Sequence, residues 1–235
     1  MPPGMTVAVR CPGALLRPLH ALCYSIAQPG EPERSEEKAM NVSAYLKVDK
    51  AAFFEFVASQ AEGRFEYEEG RIVQQMSGGT FDHMRIVQRF VSIFERQLDT
   101  DVWAVTSQGR GVETAKTVRY PDVVVEALGA AGEGLSTDKP SVIVEVLSPS
   151  TRALDLNTKP PEFMSLATLE AYIVASQDEA RCWVWHRGPD RQFAELPEEI
   201  LGSERTIRIA ALGLSVPVAE IYRGIVADRN GDGQG

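Results

Sequence analysis

Apolar residues recur along this chain at two spacings, and the change from one to the other predicts its elements. Around Asp49 the spacing is helical: this residue stands in an N-cap position, and Phe53 and Phe56 follow on one helical face. The segment 65–76 then alternates as strands do, on either side of a turn at residues 68–70. The sequence therefore predicts a short helix followed by a β-hairpin.

A long amphipathic helix is predicted from residue 80 onward, because residues 77–80 break the preceding strand and provide a cap. The apolar stripe of this helix is wide and comprises Met84, Ile86, Val87, Phe90, Val91, Ile93, Phe94 and Leu98. A helix with such a wide apolar stripe must pack on a sheet.

The rest of the pattern supplies that sheet. Strands are predicted at 101–107, 110–118, 121–127, 141–147 and 172–175, with a hairpin formed by 181–186 and 192–196. A short helix near 161–169, and a last strand and helical turn within 205–226, complete the elements. Together they predict an α/β fold with a mixed, largely central sheet flanked by helices.

Both ends of the chain lack this pattern. Residues 1–40 are rich in proline and contain the charged run 31–38, so a disordered extension is predicted, with Met40 as a second candidate for the start of the folded unit. Residues 229–235 predict a disordered tail. One domain is therefore expected over residues 41–228.

Composition narrows the class of protein. The chain has 235 residues, of which 44% are hydrophobic and 24% charged, as in soluble globular proteins. No apolar run is long enough to predict a membrane span, and the three cysteines lack the spacing of metal ligands, which favours a cytoplasmic location. A formal net charge of −9 argues against a protein that coats nucleic acid electrostatically.

Two carboxylates interrupt apolar, β-branched segments of the predicted sheet. Asp122 directly precedes three valines, and Glu145 lies inside the segment 141–147. Each has an ordinary explanation, as a turn residue or as an acid at the rim of a strand. If their strands are neighbours, the two acids repel each other unless a proton or a cation lies between them. Mg²⁺ suits that position because it takes hard oxygen ligands and is often held by only one or two carboxylates.

These acids stand in segments that resemble the Uma-two family of endonucleases, in the PD-(D/E)XK restriction-endonuclease-like superfamily. The similarity extends from about Ala51 to Ile221. It is carried by the first hairpin (64–73), the helix entry with its histidine (76–83), the PD strand (121–125), the most specific segment (144–151) and an Asp-x-x-x-Lys segment (155–159).

The resemblance implies a restriction-endonuclease-like fold and metal-dependent hydrolysis of phosphodiester bonds in DNA. Asp122 and Glu145 would bind Mg²⁺ or Mn²⁺, and Lys159 would stabilise the attacking hydroxide or the charge on the phosphate. Glu66 would be an auxiliary acid near the metal, and His83 would contact phosphate or hold Glu66. By analogy with enzymes that cut two strands, a homodimer is also expected.

Two departures from the family pattern bear on this interpretation. Pro160 and Pro161 follow Lys159 where a helix is expected to continue. A residue before proline is disfavoured in the helical conformation, so Lys159 is predicted to precede the helix. Ala171 and Tyr172 stand in place of a Tyr-Trp pair, a change that is predicted to affect packing alone.

Other interpretations of individual residues stay open. Glu66 fits a solvated hairpin face, His83 fits local bonding at a helix start, and Lys159 fits an ordinary surface position. The basic residues near the two acidic strands form either a local phosphate-binding surface or solvated loop charges: Arg110, Lys116, Arg119 and Arg152. Three aromatic residues are predicted to be packing residues or a dimer face rather than platforms for bases: Tyr172, Trp183 and Trp185.

Two other functions compete with the nuclease. The first is a catalytically impaired protein of the same fold that binds nucleic acid or protein, which the acidic net charge and the prolines after Lys159 favour. The second is a Ser–His hydrolase, which the absence of a Gly-x-Ser-x-Gly motif disfavours. Ser148, Ser150 and Thr151 are accordingly predicted to cap a turn or helix.

Overall fold

The computed structural model describes residues 47–61, 63–75, 79–129 and 134–225. The predicted disordered ends at 1–40 and 229–235 lie outside these ranges. The helices are α1 (Lys50–Ser59), α2 (Phe81–Gln97), α3 (Lys159–Met164) and α4 (Val218–Tyr222). The strands are β1 (Arg64–Glu68), β2 (Arg71–Gln75), β3 (Trp103–Ser107), β4 (Gly111–Glu113), β5 (Thr117–Arg119), β6 (Val123–Ala127), β7 (Ser136–Thr137), β8 (Pro140–Val146), β9 (Ala171–Ala175), β10 (Arg181–His186), β11 (Glu198–Leu201), β12 (Thr206–Ile209) and β13 (Leu214–Pro217). No helix in the described ranges is long and apolar enough to cross a membrane.

A six-stranded mixed sheet forms the centre of the molecule, in the order β11-β10-β9-β8-β6-β3. Strands β8 and β9 run parallel, and the other neighbours are antiparallel. Every residue of β8 and β9 is buried, which explains why their sequences are continuous apolar runs rather than alternating ones. The predicted α/β fold with a mixed central sheet is confirmed.

Helix α2 covers one face of this sheet. Thr80 caps it by accepting a hydrogen bond from the His83 N–H at 3.1 Å. Ile86, Phe90 and Ile93 are fully buried against strands β3, β6 and β8, whereas Met84 is 47% exposed. The predicted stripe is therefore correct in its centre and wrong at Met84, which lies in the first turn of α2.

Alternation along β6 and β8 sends side chains to both faces of the sheet. Val123 and Val144 point towards α2, whereas Val124 and Ile143 point to the opposite face, into a cluster with Phe163 of α3. That second cluster also holds Tyr172 and Trp185, which are almost fully buried. The two residues are packing residues, as predicted, and their burial excludes them from a dimer face.

A second sheet, in the order β2-β1-β5-β4-β7, carries the predicted β1–β2 hairpin and lies next to this second cluster. The segment 110–118, predicted as one strand, is instead the two strands β4 and β5. Thr114 reverses the chain between them, since its hydroxyl oxygen accepts hydrogen bonds from the N–H groups of Lys116 and Thr117.

Two predictions for the C-terminal third were wrong. Strand β10 pairs with Glu198–Leu201 and not with 192–196, whose described residues form a loop with one isolated bridge to Arg187. The end of the chain forms a second hairpin, β12–β13, where a single strand was predicted. The first error concerns the choice of partner strand, which local alternation does not specify, and the second concerns a local hairpin with two short strands where one strand was predicted.

Candidate active site

The two acidic strands are direct neighbours, as the sequence predicted. Val123 of β6 lies opposite Val144 of β8 in an antiparallel register, which places Asp122 opposite Glu145. Opposite residues of antiparallel strands project from the same face, here the face that carries α3. The Asp122 carboxylate also bridges to β8, because its Oδ2 accepts a hydrogen bond from the Val146 N–H at 2.8 Å.

Both carboxylates are buried, with 7% of Asp122 and 5% of Glu145 exposed. Burial raises the pKa of the Glu145 carboxyl well above its ordinary value. Lys159 opposes this shift in the pKa of Glu145, while the charges of Asp155 and Asp122 add to it. The two buried acids therefore project from one face of neighbouring strands, where the charge of Asp122 contributes to the raised pKa of Glu145.

Lys159 reaches this site. Its Nζ lies 2.7 Å from Glu145 Oε1 and 2.8 Å from Asp155 Oδ1, and only 4% of the residue is exposed. Burial alone would lower the pKa of Lys159, but Glu145 and Asp155 raise it above its ordinary value, so the ammonium stays charged. The interpretation of Lys159 as a surface lysine was wrong.

The prediction that Lys159 precedes the helix was also wrong. Lys159 has helical dihedral angles (φ −68°, ψ −33°) and continues a π-helical turn over Leu154–Thr158, with its N–H bonded to the Leu154 carbonyl. In a regular helix, the ring of Pro160 would collide with the carbonyl four residues earlier. The wider π turn accommodates that ring, so Lys159 keeps its helical conformation before a proline.

His83 lies in the first turn of α2, with its Nε2 3.1 Å from Asp122 Oδ1. With the proton on Nε2, the imidazole donates to the carboxylate and fixes its orientation. His83 Nδ1 is buried and has no hydrogen-bond partner in the described part of the chain. The prediction that His83 holds Glu66 was wrong, because its partner is Asp122.

Glu66 on β1 is buried, which contradicts the interpretation of a solvated hairpin face. Its Oε2 accepts hydrogen bonds from Arg119 Nη1 at 3.0 Å and from Gln75 Nε2 at 2.9 Å. Its Oε1 accepts a longer bond, of 3.4 Å, from the Tyr120 N–H. The negative charge of Glu66 is thus partly offset by Arg119.

Arg119 was predicted to be a phosphate-binding residue or a solvated loop charge, and it is neither. Only 1% of it is exposed, and its guanidinium donates to Glu66, Glu68 and Glu162. Burial would lower the pKa of Arg119, but Glu162 and Glu66 raise it above its ordinary value. No local spacing identifies these partners, because two precede Arg119 by about fifty residues and one follows it by 43.

The other basic residues do not form the predicted phosphate-binding surface. Arg110 donates to Glu126, and Lys116 pairs with Glu69 at 3.1 Å. The guanidinium of Arg152 lies over the Trp183 ring. The alternative of solvated loop charges fails for Arg110 and Arg119, which are largely buried against acids, but fits Lys116, which is exposed.

The site opens into a cavity of about 490 Å³. Its lining includes the five predicted residues and a sixth, Asp155: Glu66, His83, Asp122, Glu145, Asp155 and Lys159. The sequence contained a signal for Asp155, because residues four apart on a helix face the same side. Within the described ranges, no three acidic, histidine or cysteine side chains are grouped as a ready-made metal cage.

The hydroxyls beside the cavity form a local turn. Ser148 Oγ lies 3.0 Å from Ser150 Oγ and 2.9 Å from Thr151 Oγ1, and it accepts a hydrogen bond from the Thr151 N–H. The predicted capping role is confirmed. The hydrogen bond of the one histidine that lines the cavity, His83, goes to Asp122 and not to a serine, which argues against a Ser–His hydrolase.

Known proteins are similar to this chain in sequence. The sequence model of the Uma2 family, described as "Putative restriction endonuclease", matches residues 51–219. The uncharacterized protein slr1290 of Synechocystis sp. (strain ATCC 27184 / PCC 6803 / Kazusa) is 28% identical over 186 residues, which cover 77% of this chain and 94% of that protein. The uncharacterized protein sll1609 of the same organism is 24% identical over 176 residues, or 73% and 98% of the two chains.

A solved structure shares the fold. It is the crystal structure of "a putative nuclease belonging to DUF820" from Anabaena variabilis ATCC 29413, with a TM-score of 0.60 and 16% sequence identity. The match covers 73% of this chain and 97% of that chain. The restriction-endonuclease-like fold expected from the sequence is therefore confirmed.

Proposed function

Because the chain belongs to the Uma2 family, whose matched residues 51–219 enclose the buried acidic site, we propose that it is a metal-dependent endonuclease that hydrolyses phosphodiester bonds in DNA. One observation carries the proposal. Asp122 and Glu145 lie opposite each other at the mouth of a cavity, and the Lys159 ammonium lies 2.7 Å from Glu145.

The donor set fits a divalent cation. Three buried carboxylates line the cavity together with one ammonium, those of Asp122, Glu145 and Asp155, and Lys159 pairs with the last two, so the site holds more acidic groups than basic ones. Carboxylate oxygens are the ligands that Mg²⁺ and Mn²⁺ prefer. Asp122 and Glu145 would hold the ion, since they lie opposite each other on neighbouring strands of the central sheet. When bound, such an ion lowers the pKa of a water molecule and offsets charge on the scissile phosphate.

Lys159 would stabilise charge in the reaction, and His83 would orient a metal ligand. The Lys159 ammonium is buried, charged and already ordered, so it stabilises developing negative charge without reorganisation. His83 orients Asp122, and the Val146 N–H holds the other oxygen of that carboxylate. Glu66 lines the same cavity, but its Oε2 already accepts hydrogen bonds from Arg119 and Gln75, which favours a role in shaping the pocket over direct metal binding.

A binding module of the same fold is the second candidate. Its protein-binding form is favoured, because Arg110 and Arg119 are engaged by acids and offer little charge to DNA phosphates. The net charge of −9 points the same way. The two candidates differ in whether bound metal leads to strand cleavage.

Homodimerisation and a cytoplasmic location stay predictions. Cutting both strands of a duplex requires two sites, which a twofold dimer supplies. Tyr172 and Trp185 are core residues of one protomer, so the interface of such a dimer would lie elsewhere.

The test is nicking of supercoiled plasmid with Mg²⁺ or Mn²⁺, comparing the wild type with Asp122→Asn and Glu145→Gln. We expect each substitution to slow nicking by about 100-fold or more, because it removes a metal ligand. Glu126→Gln is the matched control, since Glu126 is an equally buried acid on β6 that pairs with Arg110 outside the cavity. Calorimetry measures metal binding on the same samples.

Two outcomes would count against the proposal. Nicking that survives both substitutions would remove Asp122 and Glu145 from the site. Metal binding without nicking in the wild type, or neither of the two, would favour the binding module.

A further inference from the structure

The helical segment that carries Lys159 lacks the backbone N–H that would bond to the Asp155 carbonyl. The N–H of Lys159 bonds to the carbonyl of Leu154, five residues earlier. In the same register, the Asp155 carbonyl would accept a hydrogen bond from the N–H of residue 160. That residue is Pro160, which has no N–H, and Pro161 follows it. The helix therefore offers no donor to the Asp155 carbonyl.

That carbonyl cannot turn to solvent, because only 1% of Asp155 is exposed. A buried backbone carbonyl without a partner is costly, and nearly all such groups are paired in folded proteins. The partner comes from the central sheet: the hydroxyl of Tyr172, on β9, donates to the Asp155 carbonyl at 2.9 Å. The Tyr172 ring is itself fully buried and packs against Phe163 and Trp185.

The same residue, Asp155, connects this hydrogen bond to the active site. Its carboxylate lies 2.8 Å from Lys159 Nζ, and Lys159 Nζ lies 2.7 Å from Glu145 Oε1. Fixing the backbone of Asp155 thus fixes the carboxylate that directs the ammonium towards Glu145.

We propose that Tyr172 is a positioning residue for Lys159: its hydroxyl replaces the backbone donor that Pro160 lacks and holds Asp155 and Lys159 in register with Glu145. The catalytic consequence rests on the proposed nuclease function, whereas the positioning itself can be measured without it. The two departures from the family pattern, the prolines after Lys159 and the tyrosine at 172, meet at one carbonyl. In this chain, the hydroxyl of Tyr172 compensates for the N–H that Pro160 lacks.

The test is a double-mutant cycle with Tyr172→Phe and Pro160→Ala. Tyr172→Phe keeps the packed ring and removes only the donor, so we expect the kcat of nicking to fall about 10-fold with KM for DNA unchanged. Pro160→Ala restores an N–H that can bond to the Asp155 carbonyl. In that background, the loss caused by Tyr172→Phe should shrink to about 2-fold or less.

Nuclear magnetic resonance of the ¹⁵N-labelled lysine side chains supplies a readout that does not depend on activity. The Lys159 ammonium protons should exchange slowly in the wild type and in the double variant. They should exchange at least about 10-fold faster in Tyr172→Phe, where the ion-pair geometry is released. Lys159→Arg identifies the signal by its disappearance.

Two matched controls separate positioning from general stability. Tyr222→Phe removes another buried hydroxyl, which donates to the Ser176 carbonyl at 2.8 Å in the opposite hydrophobic cluster, and should leave kcat and the Lys159 signal unchanged. Pro161→Ala restores an N–H one residue too far along to reach the Asp155 carbonyl, so it should not rescue Tyr172→Phe.

The inference would be overturned if Tyr172→Phe changed kcat and the ammonium exchange rate by the same factors with and without Pro160→Ala. An unchanged Lys159 signal in Tyr172→Phe would overturn it too. A wild type that binds metal but nicks no DNA would instead refute the nuclease function, and the exchange measurements would still decide the role of Tyr172.

Discussion

At the scale of single residues, the candidate site depends on a few ionisable side chains that are buried next to one another. Lys159 lies between Glu145 and Asp155, and each of the three is at least 95% buried. In such surroundings, removing one partner of an ion pair is far more damaging than the pair is stabilising, because the other charge stays buried and unbalanced. Lys159 is therefore a structural as well as a chemical member of the site.

Lys159→Met should lower the free energy of unfolding of the metal-free protein by about 3 to 5 kcal/mol near neutral pH. Because burial raises the pKa of Glu145, the folded state keeps a proton that the unfolded chain has lost, and stability declines as pH rises from the unfolded pKa to the folded one. Without Lys159 the pKa of Glu145 rises further, so the deficit should be larger at about pH 8 than at about pH 5. Urea denaturation at the two pH values measures it.

The control for this prediction is Lys116→Met, which removes an exposed lysine paired with exposed Glu69 and should change stability little at either pH. A deficit in Lys159→Met that does not depend on pH would show that Glu145 is not the group that responds.

At the scale of elements, the site depends on how the β1–β2 hairpin is held over the cavity. Glu66 projects from this hairpin towards Arg119 of β5, and Arg119 continues to Glu162 of α3. One buried guanidinium thus joins three elements that are distant in sequence. The turn of the hairpin, at Glu69 and Gly70, sets the register that aims Glu66 inwards.

Gly70→Ala should destabilise the protein by about 1 to 2 kcal/mol. Gly70 has a φ of +96°, and a Cβ added there would lie 2.9 Å from the Lys47 side chain. Gly109→Ala is the matched control, because no atom lies within 4 Å of its added Cβ and its φ is not positive. Thermal and urea unfolding measure both variants, and equal stabilities would show that the turn tolerates the side chain.

At the scale of the whole molecule, two hydrophobic clusters pack on opposite faces of one central sheet. Helix α2 and the β12–β13 hairpin lie on one side, and α3 with the second sheet lies on the other. Strands β8 and β9 are shared by both clusters, so we expect the two faces to unfold together. Cys182 of β10 is fully buried in the cluster under α2 and reports on that transition.

The thiol of Cys182 should react with a thiol reagent only when the whole protein unfolds. Burial raises the pKa of this thiol to about 12, so hardly any thiolate forms in the folded state at pH 8. Labelling kinetics in a Cys11→Ser, Cys23→Ser background, across a urea series, should follow the global unfolding curve. Reaction well below the unfolding transition would instead reveal local opening of β10.

Much of the architecture was predictable because it depends on local pattern. The continuous apolar runs of β6 and β8, the alternating hairpin β1–β2 and the wide stripe of α2 each encode their own element and its burial. The same runs made Asp122 and Glu145 conspicuous, since a charge in a fully buried strand requires a partner. Pairing errors arose where the partner strand was distant, as for β10.

By itself, the sequence determined the family, the α/β class and the two acidic strands, because periodicity and burial of apolar side chains act over short stretches of chain. Only the tertiary structure decided that Lys159 reaches Glu145, that Arg119 pairs with carboxylates, and that His83 holds Asp122. The proline rule for Lys159 failed where the chain forms a π-helical turn over Leu154–Thr158. A hydroxyl from Tyr172, far along the chain, supplies a hydrogen bond that no local pattern contains.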